Sequence, residues 1–353
     1  MVHHSSFIIP IIILNWNGLA DTLECLQSLQ QQTHQNFHVY LVDNASEGDD
    51  LAILKKQYGQ HPKVTIIAND QNLGFTKGNN EVLRQYVLPN PDYQYVILLN
   101  NDTAQDPNWI NELFKAAIDQ QAHIVSSKMV NYFDRSKMDN AGHQMLNTGE
   151  IIPIGHNEPV EQHNEPNENM GACAGAALYD VDMLRKIGIL DEFFTTGYED
   201  AEIGVRANVL GYKTVYAPEA IVYHKVSQSV AKIWNYEYVL QIQVNIYYSY
   251  LKLLPLPLLL FNVPFLLFKF VVLFFINLLF WRPKFLKILF HSYYRIFTTH
   301  WPKIRRERQR FFQEQSPNSS WQIAQKMRFF LWFDIGRFWK YFVLKREMIF
   351  EKW

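Results

Sequence analysis

Two acidic groups stand out for where they fall along the chain. In Asn100-Asn101-Asp102 a carboxylate follows directly on the apolar run Val96–Leu99. Four apolar, strand-like residues would deliver Asp102 to a sheet edge, where a hard divalent cation bridging two phosphates takes oxygen ligands. The second group is Glu199-Asp200, within the stretch Thr195–Arg206. It lies at an expected helix start, where the helix dipole favours carboxylates. A carboxylate placed there can take the proton of an attacking hydroxyl. A cation for a leaving diphosphate and a base for an incoming hydroxyl are complementary needs of one group-transfer reaction. Plain structural readings stand beside both. Asn and Asp clusters form turns after strands, here ahead of Pro107, and acids are common in a helix's first turn. Glu202 reads as the i,i+4 partner of Arg206, while Arg206 itself stays open. Asp200 carries the sharper chemical claim.

Two weaker signals accompany these. The stretch Asn72-Leu73-Gly74-Phe75-Thr76-Lys77-Gly78-Asn79 is a glycine-containing loop entering a helix. Small residues there admit a ligand to the backbone, and exposed amides suit a phosphate or a base. Its spacing matches neither the dinucleotide fingerprint nor the P-loop. His224 closes the strand-like run Ala220–His224. It is by default a surface or core residue, but a cation held by one Asp needs a further ligand. His156 and His163 lie in a polar loop and are expected to be solvated.

These residues need a scaffold. The first third alternates β-branched runs with amphipathic stretches: strand Phe7–Leu14, helix Leu19–Gln31, strand Phe37–Val42, helix Asp50–Tyr58, strand Val64–Ile67, helix Thr76–Leu88 and strand Tyr95–Leu99. Such alternation implies an α/β fold with a mostly parallel sheet covered on both faces. Ligands bind outside the carboxyl ends of its strands, which selects Asn15, Asp43 and Asn100–Asp102. Residues 123–154 look strand-rich, 155–170 form a polar loop, and Gly171–Ala177 is a run of small residues. A helix Glu199–Leu210 and strand-like stretches at 213–216 and 220–224 follow. Cys25 and Cys173 have neither metal-ligand nor disulfide-framework spacing, which suits a reducing cytosol. The opening residues lack the basic region of a signal peptide.

In this order the segments resemble the family 2 glycosyltransferases, inverting enzymes of GT-A fold. The likeness is closest to the rhamnosyltransferase-like bacterial members that build cell-surface polysaccharides. It covers roughly residues 7–230 and rests on Ile12–Gly18, Leu41–Ser46, Asn72–Asn79, Asn100-Asn101-Asp102, Gly171–Ala177, Glu199-Asp200 and His224. It implies a nucleotide-sugar donor, with Asn15 and Asp43 on base and ribose and Asn72, Gly74, Asn79 and Asn101 also donor-facing. It implies Mg²⁺ or Mn²⁺ at Asp102 with His224 as a further contact. Asp200 would be the base, with Glu199 beside it, and Gly175 and Ala176 would line the acceptor cleft. Asn at positions 100 and 101 leaves a single carboxylate in the metal motif, so the ion is expected to arrive with the donor. Processive members carry Gln-x-x-Arg-Trp before their membrane helices. Gln325-Lys326-Met327-Arg328-Phe329 follows the apolar segment and lacks the Trp, so transfer of one sugar, dTDP-rhamnose-like donors included, is expected.

Beyond a catalytic domain at 1–230, residues 231–281 read as an amphipathic and then strongly apolar helical segment, and 282–353 as a basic, aromatic helical tail. From Arg282 onward there are 16 Lys/Arg against 5 Asp/Glu, leaving 17 against 29 in the rest. A basic tail on an acidic body points to an anionic surface. Leu253–Trp281 is almost wholly apolar and as one helix would reach about 43 Å, but its prolines argue against a straight rod. One crossing would separate a cytosolic catalytic domain from a basic flank that also prefers the inside. A re-entrant or in-plane element at the cytoplasmic face of the inner or plasma membrane is therefore expected, with residues 251–281 and the tail on the lipid. A buried helix pair or oligomer interface is the alternative. A lipid-linked or oligosaccharide acceptor follows, and no nucleic acid, because apolar residues interleave the tail's charges. A nucleotidyltransferase lacks its basic Gly-rich loop here. A non-catalytic membrane scaffold that binds nucleotide sugar or glycan would not need Glu199-Asp200.

Overall fold

The computed structural model describes residues 8–195, 197–225, 235–331 and 335–336. Phe7, the segment 226–234 and the tail from 337 lie outside the described residues. The chain divides into two units, residues 1–143 with 153–226, and residues 144–152 with 227–353. The segment 144–152 groups with the C-terminal unit rather than with the residues that flank it in sequence.

The first unit begins as the sequence predicts. Strands β1 (Ile9–Asn15), β2 (Phe37–Asp43), β3 (Val64–Ala68) and β4 (Tyr95–Asn100) alternate with helices α1 (Leu19–Gln30), α2 (Asp50–Tyr58) and α3 (Gly74–Val82). A π-helical turn at Leu83–Val87 extends α3. The four strands are parallel in the order β3-β2-β1-β4. β-Branched residues buried on both sides explain this: β1 places Ile11 and Ile13 in one cluster with Cys25, Leu26 and Leu29 of α1. Ile12 faces the opposite cluster with Val82 and Leu83. Burial of each such side chain contributes about 1.5–3 kcal/mol.

The second half of the sheet is mixed. After β5 (Thr103–Gln105) and α4 (Trp109–Asp119) come β6 (Ile124–Asn131), β7 (Met138–Asn140), and a hairpin of β8 (His143–Met145) and β9 (Ile151–Pro153). The expected polar loop follows, holding a short β10 (Asn167–Glu168), before β11 (Ala176–Asp180), α5 (Val181–Ile187), α6 (Glu199–Val209) and β12 (Thr214–His224). β11 runs antiparallel between β4 and β6. The two expected strand-like stretches at 213–216 and 220–224 are one strand, β12, parallel to β6 with a register shift between Ala217 and Ile221. Its far end pairs antiparallel with β5, setting His224 opposite Thr103.

The second unit is helical: α7 (Tyr236–Leu253), α8 (Leu256–Leu279), α9 (Pro283–Tyr294), α10 (Trp301–Glu314) and α11 (Ser320–Lys326). The apolar segment 253–281 is interrupted at Leu254, which is extended ahead of Pro255, and α8 then continues without a break to Leu279. Pro257 sits in the first turn, where an amide has no intrahelical partner to lose, and only Pro264 is interior. Leu258 and Asn262 are its only buried residues. Helices α9 and α10, joined by a π-helical turn at Arg295–His300, return along α7. The Tyr247 hydroxyl donates to that of Tyr293 at 3.1 Å, and Arg308 donates to the carbonyls of Leu251 and Leu254 at 2.7 and 2.6 Å. Lys269, midway along α8, pairs with Glu150 at 2.7 Å.

One backbone contact sets α6. A Cβ on Gly204 would lie 2.3 Å from the Cα of Gly171 and 2.8 Å from the Met170 carbonyl oxygen. Neither backbone atom can rotate away. Gly204→Ala should therefore destabilise the first unit by about 1–3 kcal/mol, seen as a lower urea midpoint with little change in its slope.

Candidate active site

The parallel register brings polar residues together at one edge. Asn15 stands opposite Asp43, and Leu14 opposite Asn100. Asn15 is fully buried. Its Nδ2 donates to Asp43 Oδ1 at 2.9 Å, Ser46 Oγ at 2.9 Å and Asp50 Oδ2 at 3.2 Å, while its Oδ1 accepts from Thr22 Oγ1 at 2.7 Å. Asp43 is buried too, and its Oδ2 accepts the Ser46 amide at 3.1 Å. These two residues form a knot that ties β1, β2, α1 and α2 rather than presenting free donors to an open cleft.

Asn44 extends the knot. It donates to Asn72 Oδ1 at 2.9 Å and accepts from Asn69 Nδ2 and the Leu73 amide, both at 3.0 Å. Asn72 stays exposed and also accepts the Gly74 amide at 2.8 Å. Gly74 has φ +71°, a backbone that favours glycine. Asn79 is buried and donates to the Phe75 carbonyl at 2.9 Å, within its own helix. Asn101 is half-buried, its Nδ2 held by Thr22 Oγ1 at 2.9 Å.

Past the end of β4, Asp102 Oδ1 is buried and paired with His224 Nε2 at 3.3 Å, with no shorter polar partner. The other imidazole nitrogen, Nδ1, sits 2.8 Å from Asp139 Oδ2. Burial works against charge on His224, yet the Asp102 and Asp139 carboxylates outweigh it and push the imidazole up to about 10. Burial likewise opposes charge on Asp139, but hydrogen bonds from His156 and His224 hold its carboxyl well below the usual range. His156, expected to be solvated, is thus engaged, as is His163, whose Nε2 lies 2.9 Å from Glu158. The next residue, Lys225, donates to Asp21 at 2.6 Å and Glu24 at 2.7 Å, and its amide reaches the Asp102 carbonyl at 3.0 Å.

Among the described residues no group of three or more His, Cys, Asp or Glu side chains is arranged to hold a metal ion. The buried Asp102 oxygen beside His224 nevertheless fits a cation completed by other ligands. Adjacent ligands on an octahedral ion at about 2.1 Å sit roughly 3 Å apart, close to the separation found.

The second acidic group stands at the start of α6. Tyr198, before it, takes a left-handed backbone at φ 86°. Asp200 is half-buried, accepting the Ala201 amide at 2.7 Å and the Ala174 amide at 3.1 Å. Glu199 is buried, with Oε2 lacking a partner. Burial first, and then the Asp200 charge, push its carboxyl up to about 8. Of the small-residue run, Gly175 and Ala176 are buried. A Cβ on Gly175 would lie 3.0 Å from Asn100 Nδ2, while Ala176 pairs with Leu99 and packs into the core. Arg206 is settled as structural. It pairs with the buried Glu202 at 2.8 Å and donates to the Ile187 and Ile189 carbonyls, both at 2.8 Å.

Asn44, Asp139 and Lys225 went unread in the sequence. Asn44 lies inside a quoted motif and Lys225 follows His224, but nothing near Asp139 marks it.

The sheet, with acidic residues past β4 and at the head of α6, has the GT-A fold. The family model described as glycosyl transferase family 2 matches residues 11–188, and the chain belongs to that family. It is 25% identical over 228 residues to the O-antigen biosynthesis protein RfbC of Myxococcus xanthus, covering 62% of this chain and 17% of that protein. It is 22% identical over 141 residues to the bifunctional glycosyltransferase pgtA of Dictyostelium discoideum, covering 38% of this chain and 18% of that protein. The chain therefore spans only about a fifth of these relatives' lengths. Among solved structures, GalNAc-T7 with UDP, GalNAc and Mn²⁺ superposes with a TM-score of 0.53 at 14% identity, covering 68% of this chain and 51% of that one.

Glu199 generates a prediction. A carboxyl held up by the fold keeps its proton where the unfolded chain, near 4.5, has lost it. Its contribution to stability is therefore complete at acid pH and is lost as pH rises toward 8. Glu199→Gln should flatten the fall of the thermal midpoint between about pH 5 and pH 9 and raise it at the alkaline end.

Proposed function

We propose that this chain is a glycosyltransferase that inverts configuration, moving one sugar from a nucleotide-diphosphate sugar to a lipid-linked or polysaccharide acceptor at the cytoplasmic face of a membrane. The observation that carries the donor half is the buried Asp102 Oδ1, paired with His224 Nε2 at 3.3 Å and with no shorter polar partner. Asp102 and His224 would hold Mg²⁺ or Mn²⁺ together with the donor diphosphate. That ion supplies neutralisation of charge on the leaving diphosphate. The Asn15–Asp43 knot fixes the loops that receive base and ribose, with the exposed Asn72 and half-buried Asn101 as the available polar side chains.

Asp200 takes the proton of the acceptor hydroxyl while that oxygen attacks the anomeric carbon. The bond from that carbon to the diphosphate oxygen breaks on the opposite face, which inverts configuration. Two backbone amides aim the Asp200 carboxylate. Glu199 is buried, with its carboxyl pushed up by that burial, and Asp200 is the more accessible of the two carboxyls. The dTDP-rhamnose-like donor and single transfer remain the preferred substrate reading.

The second unit supports a membrane-surface role. Helix α8 has 24 residues and is apolar enough to cross a bilayer, with only 6% of its most apolar window buried. Crossing is disfavoured by its neighbours. Lys284 and Lys287 follow one end of α8, and Arg305 and Arg308 line a groove with Pro255, Leu256 and Pro257 at the other. Between them the Lys269–Glu150 pair, midway along α8, would sit at hydrocarbon depth, where charge is costly. An in-plane helix with cations at headgroup level avoids that cost.

Three outcomes are expected. Asp200→Asn should lower turnover by about 10²–10⁴-fold with donor binding retained in calorimetry; near-normal turnover would remove Asp200 as base. Asp102→Ala should weaken Mn²⁺-dependent donor binding, read as loss of the Mn²⁺-dependent part of the thermal shift with nucleotide sugar. The wild type should cosediment with vesicles of phosphatidylcholine and phosphatidylglycerol, and a Leu260→Asp, Phe261→Asp double variant should not. A wild type left wholly in the supernatant would overturn the membrane reading.

A further inference from the structure

We infer that Asp139 is a positioning residue for the cation site: its carboxylate fixes the tautomer and aim of His224, so that Nε2 points at the gap beside Asp102. The inference rests on the proposed assignment of Asp102 and His224 as cation ligands. It extends that assignment to a residue on another strand.

The geometry is built by four strands. Strand β12 ends at His224, held between Asn131 of β6 on one side and Thr103 of β5 on the other. Strand β7 pairs antiparallel with β6, with Asn140 opposite Met129 and Met138 opposite Val130. Asp139, between them, has its side chain 11% exposed, and that of His224 is 12% exposed. Little water competes for the contact between them.

An ionised carboxylate only accepts hydrogen bonds. Asp139 Oδ2, 2.8 Å from Nδ1, therefore requires the hydrogen on Nδ1. With that nitrogen occupied, Nε2, the nitrogen near Asp102 Oδ1, is the one whose proton an incoming cation would displace to take its lone pair. The ring cannot flip without placing a carbon against a buried carboxylate. Asp139 is itself braced: His156 Nδ1 lies 3.4 Å from its other oxygen, Oδ1, and 3.1 Å from its backbone carbonyl. A carboxylate behind a ligating imidazole also raises the ligand's basicity, and loss of such partners typically weakens metal binding by about 10–100-fold.

The test uses the full-length chain and Mn²⁺ itself, followed by the loss of the free-ion electron paramagnetic resonance signal on titration, with and without a nucleoside diphosphate. Asp139→Ala should weaken Mn²⁺ binding by about 10–100-fold, and Asp139→Asn, which keeps an acceptor oxygen but not the charge, by less. Thermal midpoints recorded alongside identify any variant that has failed to fold, and Asp139→Asn serves if Asp139→Ala does. Because Asp139 acts through His224, adding Asp139→Asn to His224→Ala should cost nothing further. A merely structural role would weaken binding in both backgrounds alike. Wild-type Mn²⁺ affinity in Asp139→Asn and Asp139→Ala, or additive losses in the double variant, would overturn the proposal while leaving Asp102 and His224 as ligands. A wild type that binds no Mn²⁺ even with the nucleotide present would overturn the cation site and the role of Asp139 together.

Discussion

The site depends on the register in which β1 meets β2 and β4. Because Asn15 stands opposite Asp43 and Leu14 opposite Asn100, three strands finish at one height with polar residues at their ends. A one-residue slip would turn each strand's buried set to the opposite face, and both apolar clusters forbid that. The fully buried Asn15 then converts register into loop geometry by joining Asp43, Ser46, Asp50 and Thr22. A buried polar group is tolerable only when satisfied. The knot therefore forms in one arrangement, and the loops past β1 and β2 inherit its precision.

The other half of the site is fixed by β12. Its pairing with β6 and then with β5 sets His224 beside Asp102, and Lys225 is clamped by Asp21 and Glu24 immediately afterwards. The clamp and the strand pairing hold His224 from both sides, so its ring faces two carboxylates across a few ångströms. At the head of α6 the chemistry is divided between neighbours. Glu199 is buried with an unpartnered oxygen and its carboxyl is pushed up by that burial, whereas Asp200 accepts two amides on a half-exposed surface.

Much of this was legible in the sequence because it is local. The β-branched runs marked β1 to β4, and a strand ending in Asn or Asp marked each carboxyl edge. What escaped was decided by contacts distant in sequence. Nothing in 176–180 says that β11 inserts antiparallel between β4 and β6, since its burial on both faces reads equally well as parallel. The Asp139–His224 contact joins residues 85 apart, and Asp139 lies on a three-residue strand with no periodic pattern to reveal it. Asn15 and Ala176 were expected at the ligand surface, yet both are buried, because position past or near a strand end does not determine which way a side chain turns.

Prolines act locally at the start of α8. Leu254, extended ahead of Pro255, separates α7 from α8, while Pro257 stands within the first turn of α8, where a missing amide costs little. The helix survives with one interior proline, and its exposed apolar surface is a property of the whole rod. By length alone that rod would cross a bilayer. Helices α9 and α10 run back along α7 and carry Arg308 to the carbonyls of Leu251 and Leu254, just before α8 begins. Any placement of α8 must therefore bring its charged neighbours to the same depth. Lying in the interface satisfies both demands: apolar side chains enter the lipid, and the cations remain among headgroups.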